Sequence, residues 1–187
     1  MKEYTEEIRT YLEKEIEIIH KLDMEQLSQA INVLVAARDR GARIYIMGNG
    51  GSAATASHFV CDFNKGIWEG QKEKKFKIQC LSDNVPIMTA IANDIGYEDV
   101  FLFQLQENLE KNDLVVAISG SGNSKNVLKA VEYAKTLGCE TLGITGYNGG
   151  KLKAISDYSM HVPVDDMQIT EDIHMIFDHM IMHILSK

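Results

Sequence analysis

Proline occurs only twice in the 187 residues, at Pro86 and Pro163. With no internal repeat either, nothing marks a linker, and a single domain over 1–187 is expected. Cysteine is scarce too. Cys61, Cys80 and Cys139 are odd in number and widely spaced, which excludes a disulfide framework and the usual zinc-knuckle spacing. Buried free thiols are the expectation. Basic residues are outnumbered, 19 Lys and Arg against 27 Asp and Glu, and the net charge of −8 argues against nucleic acid as the main ligand. The locally basic "QKEKKFK" (71–77) reads as a solvated loop entering a strand. No apolar run approaches the roughly 18 residues of a membrane span, and "MKEYTEEIRT" lacks a signal-peptide core, so a cytoplasmic location is expected. Anionic substrates stay open, because a few local donors outweigh a distant net charge.

What the chain does contain is an alternation of two periods. Ile8, Leu12, Ile16 and Ile19 repeat at helical spacing, with Tyr11 and Leu22 on the same side. A second helix over 24–41 carries Leu27, Ile31, Leu34 and Val35, with Gly41 as its C-terminal stop. These leading helices (1–41) are the expected oligomerisation element, with Ile18 and Leu22 as additional apolar positions. Short β-branched or apolar strands follow at 43–47, 76–81, 113–119, 140–145 and 158–162. Helical stretches separate them at 52–66, 85–95, 98–109, 124–137 and 149–156, and a last helix spans about 168–186. Strands alternating with helices predict an α/β fold, a three-layer αβα sandwich on a five-stranded parallel sheet of flavodoxin-like type. Such sheets place ligands beyond the carboxyl ends of their strands.

Two glycine loops lie where that rule points. "MGNGGS" follows the first strand, bringing Asn49, Gly50, Gly51 and Ser52, and "ISGSGNS" (118–124) follows the third. In both, glycines allow close backbone approach and a helix begins at once, so amide groups can converge on an anion. Ser119, Ser121 and Ser124 flank Gly120 with hydroxyls suited to the several acceptor oxygens of a phosphate; a plain helix cap at Ser124 is the alternative. Gly48, Gly50 and Ala53 fit a loose dinucleotide fingerprint. No acidic residue closes a second strand about 20 residues on, since Asp83 lies too far along, and Lys125 follows Ser124 where a Walker lysine would precede it. A phosphosugar fits better than a nucleotide.

Beyond the first loop, His58 and Asp62 stand four apart, about 40° from each other around the helix axis. The last helix carries Ile173, Ile176, Phe177, Met180, Ile184 and Leu185 on its apolar side, with Glu171, His174, Asp178, His179 and His183 opposite. A solvated polar face accounts for the second set as well as a site does. Spacing alone does not choose among the three histidines.

Taken together, "GNGGSAATASHF", "MTAIANDIGYEDVF", "DLVVAISGSGNSKNVLKAVEYAKTLG", "TGYNGGKL" and "VPVDDMQITEDIHMIFDHMI" resemble the bacterial phosphoheptose isomerases, or sedoheptulose 7-phosphate isomerases, of the SIS (sugar isomerase) superfamily. The resemblance covers nearly the whole chain. It implies an aldose–ketose isomerase acting on a phosphosugar, one bound zinc per subunit and a homotetramer. It further implies that Ser52 contacts substrate, that Ser119, Ser121 and Ser124 hold the phosphate, and that Asp94 meets sugar hydroxyls. Its metal and acid–base residues fall on His58, Asp62, Glu171 and His179. Three positions depart from the family pattern: Asp62 for glutamate, Glu171 for glutamine, and Gly120 where threonine is common. Asp62 is one methylene shorter, setting its carboxylate back by about 1.5 Å, and a misplacement of about 1 Å can cost ~10²-fold in rate. An isomerase for another sugar phosphate therefore stays open, as does a non-catalytic phosphosugar- or protein-binding member. Glu171 and His179 lie about 12 Å apart along an unbroken helix. Either Glu171 sits at a frayed helix start, or ligands come from different subunits of a tetramer with interfacial sites.

Overall fold

The computed structural model describes residues 2–72 and 74–187. Two helices lead, α1 (Thr5–Ile19) and α2 (Met24–Asp39). Asp23 starts α2 by accepting from the amides of Glu25 and Gln26, both at 3.0 Å, a cap contributing about 1 kcal/mol. Gly41 follows its end at φ +73°, the left-handed conformation that stops a helix. Then come β1 (Ile44–Met47), α3 (Gly51–Cys61) running into a π-helical stretch (Asp62–Ile67), α4 (Trp68–Gln71), β2 (Ile78–Cys80), α5 (Val85–Asp94), and a 3₁₀ turn (Tyr97–Asp99) leading into α6 (Val100–Asn108). β3 (Leu114–Ser119), α7 (Lys125–Thr136), β4 (Glu140–Thr145), α8 (Gly150–Ile155), β5 (Tyr158–His161) and α9 (Met167–Leu185) complete the order.

All five strands pair in parallel, in the order β2-β1-β3-β4-β5. This is the expected three-layer α/β sandwich, and each strand falls within two residues of its expected bounds. Successive residues point to opposite faces. Ile44, Ile46, Val116 and Ile118 pack under α2, α3 and α9 against Leu34, Phe59 and Phe177. Tyr45, Met47, Val115 and Ala117 pack under α5 to α8 against Ile91, Phe101, Val131 and Leu152. Both faces are covered, which is why the strands read as near-continuous apolar runs. Each large side chain so buried contributes about 1.5–3 kcal/mol.

Three expectations need correction. On α1 the apolar stripe lies on the surface, with Ile8, Leu12 and Ile16 51–58% exposed and Tyr4 and Tyr11 beside them. Ile18 and Leu22, expected as extra surface contacts, are instead the residues that enter the core. Polar bonds tie α1 to α9: the Tyr11 hydroxyl donates to Asp172, and Lys14 pairs with Asp166 at 2.6 Å. The Asp172 bond, and then burial, push the Tyr11 hydroxyl up to about 12. Cys61 is exposed at the end of α3, whereas Cys80 and Cys139 are buried and all three are free. Finally, His174 and Asp178 are buried, not solvated. Helix α9 lies against the sheet on one side and α3 on the other. Its buried arc therefore includes 170, 174 and 178 beside the apolar 169, 173, 177 and 181, while Ile184 is 49% exposed.

The basic stretch behaves as a surface loop, with Lys75 over the Trp68 ring and the Lys77 ammonium donating to the Gly41 carbonyl; Glu73 lies outside the described residues. Among the described residues, no helix is long and apolar enough to cross a membrane.

Candidate active site

β1 and β3 are neighbours, yet α3 leaves β1 over one face and α7 leaves β3 over the other. A crevice opens at their carboxyl ends, and both glycine loops lie in it. The Ser82 hydroxyl pins the first loop by donating to the Gly48 carbonyl at 2.8 Å. The side-chain amides of Asn49 and Asn126 pair reciprocally at 2.9 Å, and the Tyr97 hydroxyl donates to Asn49 Oδ1 at 2.7 Å. Asn126 and Tyr97 were not singled out in the sequence, because their role depends on two loops meeting.

The serine loop turns at Gly122, φ +67°, where a Cβ would fall 2.0 Å from the Gly149 carbonyl oxygen; only glycine fits there. Ser124 sits at the N-cap of α7 but makes no side-chain cap bond. Its hydroxyl lies 3.1 Å from that of Ser119. The plain-cap alternative therefore fails, and no Ser124 cap engages the first amides of α7.

A cavity of about 120 Å³ forms between the loops, lined by Asn49, Ser52, Ser119, Ser121, Ser124 and Glu171, with Gly120 and Met167 in its wall. A Cβ on Gly120 would stand 3.0 Å from the Met167 sulfur, so a threonine there would crowd that side chain. A Cβ on Gly51 would come within 2.5 Å of the Glu171 carboxylate. Glu171 thus rests on the first turn of α3, at the edge of the serine cavity. A second cavity, of about 470 Å³, opens beyond Ser121 toward Tyr147, Asn148 and Asp165. Asp94 ends α5 exposed, accepting from Asn93 at 2.7 Å, and does not line the serine cavity.

From the loops, α3 and α9 run side by side in the same direction, with Gly51 against Glu171, His58 against His179, and Gly66 against Met182. His58 Nε2 lies 3.2 Å from His179 Nε2, 3.7 Å from Asp62 Oδ1 and 4.0 Å from Asp178 Oδ2. One donor atom from each of these four residues lies within 4.8 Å of all the others. The histidines are at the surface, Asp62 is half-buried and Asp178 fully buried. Neither oxygen of Asp178 has a hydrogen-bond partner. Burial, and then the Asp62 charge, push its carboxyl up to about 7.

These residues fit a divalent cation. A tetrahedral ion with bonds of about 2.0–2.2 Å holds its donors about 3.3–3.6 Å apart, close to the separations around His58. An orphaned buried carboxylate beside a second one is costly until a cation joins them. Of the residues expected to bind metal, His58, Asp62 and His179 come together. Glu171 does not join them: it occupies the second turn of an unbroken α9, so a frayed helix start is excluded. Asp178 was overlooked as part of a polar face. The signal was its register with Thr170 and His174, one residue beside the apolar stripe.

A family model described as the SIS domain matches residues 3–146. The chain is 40% identical to the phosphoheptose isomerase of Helicobacter pylori (strain P12) over 163 residues, 87% of this chain and 84% of that protein. It is 35% identical to the probable phosphoheptose isomerase of Thermoplasma acidophilum, over 96% of this chain and 97% of that one. The solved structure of a phosphoheptose isomerase from Neisseria gonorrhoeae superposes with a TM-score of 0.88 at 28% identity, over 98% of both chains.

Proposed function

This chain belongs to the SIS domain family, and on that footing we propose that it is an aldose–ketose isomerase of phosphosugars, converting sedoheptulose 7-phosphate to D-glycero-D-manno-heptose 7-phosphate. The observation that carries the reading is the pairing of a hydroxyl- and amide-lined cavity with a His/Asp cluster further along α3 and α9, the two helices that border it. The names of the relatives point to the same substrate.

Isomerisation moves a hydrogen between adjacent carbons through a cis-enediol, so it needs a proton carrier and an electrophile. Ser119, Ser121 and Ser124 hold the phosphate with the α7 amides, and Ser52 and Asn49 border the sugar. Binding energy at the phosphate positions the distant reacting end. Asp62 or His179 carries the proton. His58, Asp62 and His179 would hold a divalent ion, Zn²⁺ foremost, with a fourth donor from α9; bound there, it supplies Lewis acidity to the carbonyl and hydroxyl oxygens. We read the protein as a cytoplasmic homotetramer with sites at subunit interfaces; the exposed apolar stripe of α1 supports self-association.

Proton NMR of sedoheptulose 7-phosphate with the purified protein in D₂O tests the activity. New heptose 7-phosphate signals, suppressed by a chelator, are expected; their absence with stoichiometric metal bound would refute it. One observation favours a second substrate: Glu171 places a carboxylate, which only accepts, at the cavity edge. Turnover of another sugar phosphate in the same assay would select that reading.

A further inference from the structure

We infer that the fourth donor of the metal cage is Asp178, not Glu171, and that His58, Asp62, Asp178 and His179 complete the cage within one chain. From the proposed function this takes only that the cluster holds a divalent cation.

Asp178 has no other partner. Its residue is 0% exposed and both carboxylate oxygens lack a hydrogen bond. The nearest buried polar group along α9, His174 one turn earlier, has both ring nitrogens unpaired as well, so the two do not satisfy each other. Protonation alone leaves the problem standing, because a neutral carboxyl would keep a buried O–H with no acceptor. The donor it does approach is His58 Nε2, at 4.0 Å, on the far side of a cluster that already contains Asp62 and His179.

The helices explain why four donors meet. His58 and Asp62 are one turn apart on α3, and Asp62 opens the π-helical stretch, a widening that recurs at functional sites. Asp178 and His179 are consecutive on α9, about 100° apart around its axis. One therefore reaches the α3–α9 groove from the buried side and the other from the solvent side. The two aspartates give the cage two negative charges, matching a dication and suiting the harder ions. Glu171, two turns away on Gly51, is left to face the serine cavity.

The test compares Asp178→Asn and Glu171→Gln in the full-length protein, by metal content after dialysis, chelator competition for Zn²⁺, and the visible spectrum of the Co²⁺ form. Even outer-shell changes cost 10–100-fold in affinity. Asp178→Asn is expected to weaken Zn²⁺ binding by at least about 100-fold and to change the Co²⁺ spectrum, with Glu171→Gln within about threefold of wild type. Without metal, Asp178→Asn should melt close to wild type, since it exchanges one unpaired buried polar group for another; this separates lost metal from lost fold. Wild-type affinity in Asp178→Asn, a large loss in Glu171→Gln, or no stoichiometric metal in the wild type would each overturn the inference. None of these readouts uses isomerase activity, so a protein that binds metal through Asp178 but leaves sedoheptulose 7-phosphate unchanged would refute the proposed function alone.

Discussion

Replacing His174 with methionine should remove a defined part of the protein's acid sensitivity. The imidazole is 1% exposed and both its nitrogens are unpaired. Burial, partly offset by the Thr145 backbone, pushes its proton affinity down from 6.5 to about 4. Between those values the unfolded chain binds a proton that the folded chain does not. Stability from this group is therefore fully present above about pH 6.5 and is lost as pH falls toward 4. At 1.36 kcal/mol per unit the ceiling is about 3 kcal/mol, and at pH 5.5 the loss is about 1.4 kcal/mol. Asp178, on the same helix, titrates in the opposite sense, and His161 is depressed by its own burial. Both are shared by wild type and variant, so their difference isolates residue 174. Urea unfolding from pH 7.5 to 4.5, in chelator to suppress metal linkage, should show the wild type losing stability relative to His174→Met by these amounts. Methionine fills the site without a titrating group. Parallel pH profiles would refute the account of a neutral buried imidazole.

Other substitutions probe the loops and the surface. Gly122→Ala forces a side chain into φ +67° and onto the Gly149 carbonyl; at least about 1–2 kcal/mol of stability should be lost, with weaker binding of inorganic phosphate by calorimetry, and an unchanged variant would contradict the tight turn. Ser124→Ala removes no cap bond, so its melting temperature should hold while KM for the sugar phosphate rises about 10-fold or more, the value of a hydrogen bond to a charged group. The reverse pattern would reduce Ser124 to a helix cap. Charging α1 with Ile8→Glu and Leu12→Glu, both exposed in the chain, should shift sedimentation toward smaller species and lower activity. A wild-type protein that sediments as an active monomer would defeat the interfacial reading.

The layers were legible because periodicity is local. Strands with no polar face, such as Leu114–Ser119, announce a sheet covered on both sides, and the order of strands and helices then restricts the topology. Both loops were legible for a related reason: glycine and serine densities mark where the backbone turns tightly between a strand and the next helix. The cluster was only half legible. His58 and Asp62 share a helix, so spacing relates them. Their partners on α9 are more than 110 residues away, and which side of α9 meets α3 depends on packing that no single-helix pattern contains. A polar residue within a buried arc looks, in sequence, the same as one on a wet face. Asp178 and His174 were misplaced for that reason.

The parallel course of α3 and α9 also limits what can be converted. Glu171 marks the serine cavity and His179 the His/Asp cluster, eight positions apart on one unbroken helix, or about 12 Å. An extended seven-carbon phosphate spans about 10 Å from phosphorus to C1 at ordinary bond lengths, and a triose phosphate about half that. A phosphate seated among Ser119, Ser121 and Ser124 therefore lets a heptose reach toward the cluster, while a triose stops about four bonds earlier. A second subunit could shorten that path only by placing its own cluster nearer the first chain's serine loop. Chain length and assembly are thus coupled: the more nearly one chain is sufficient, the longer the sugar it must use.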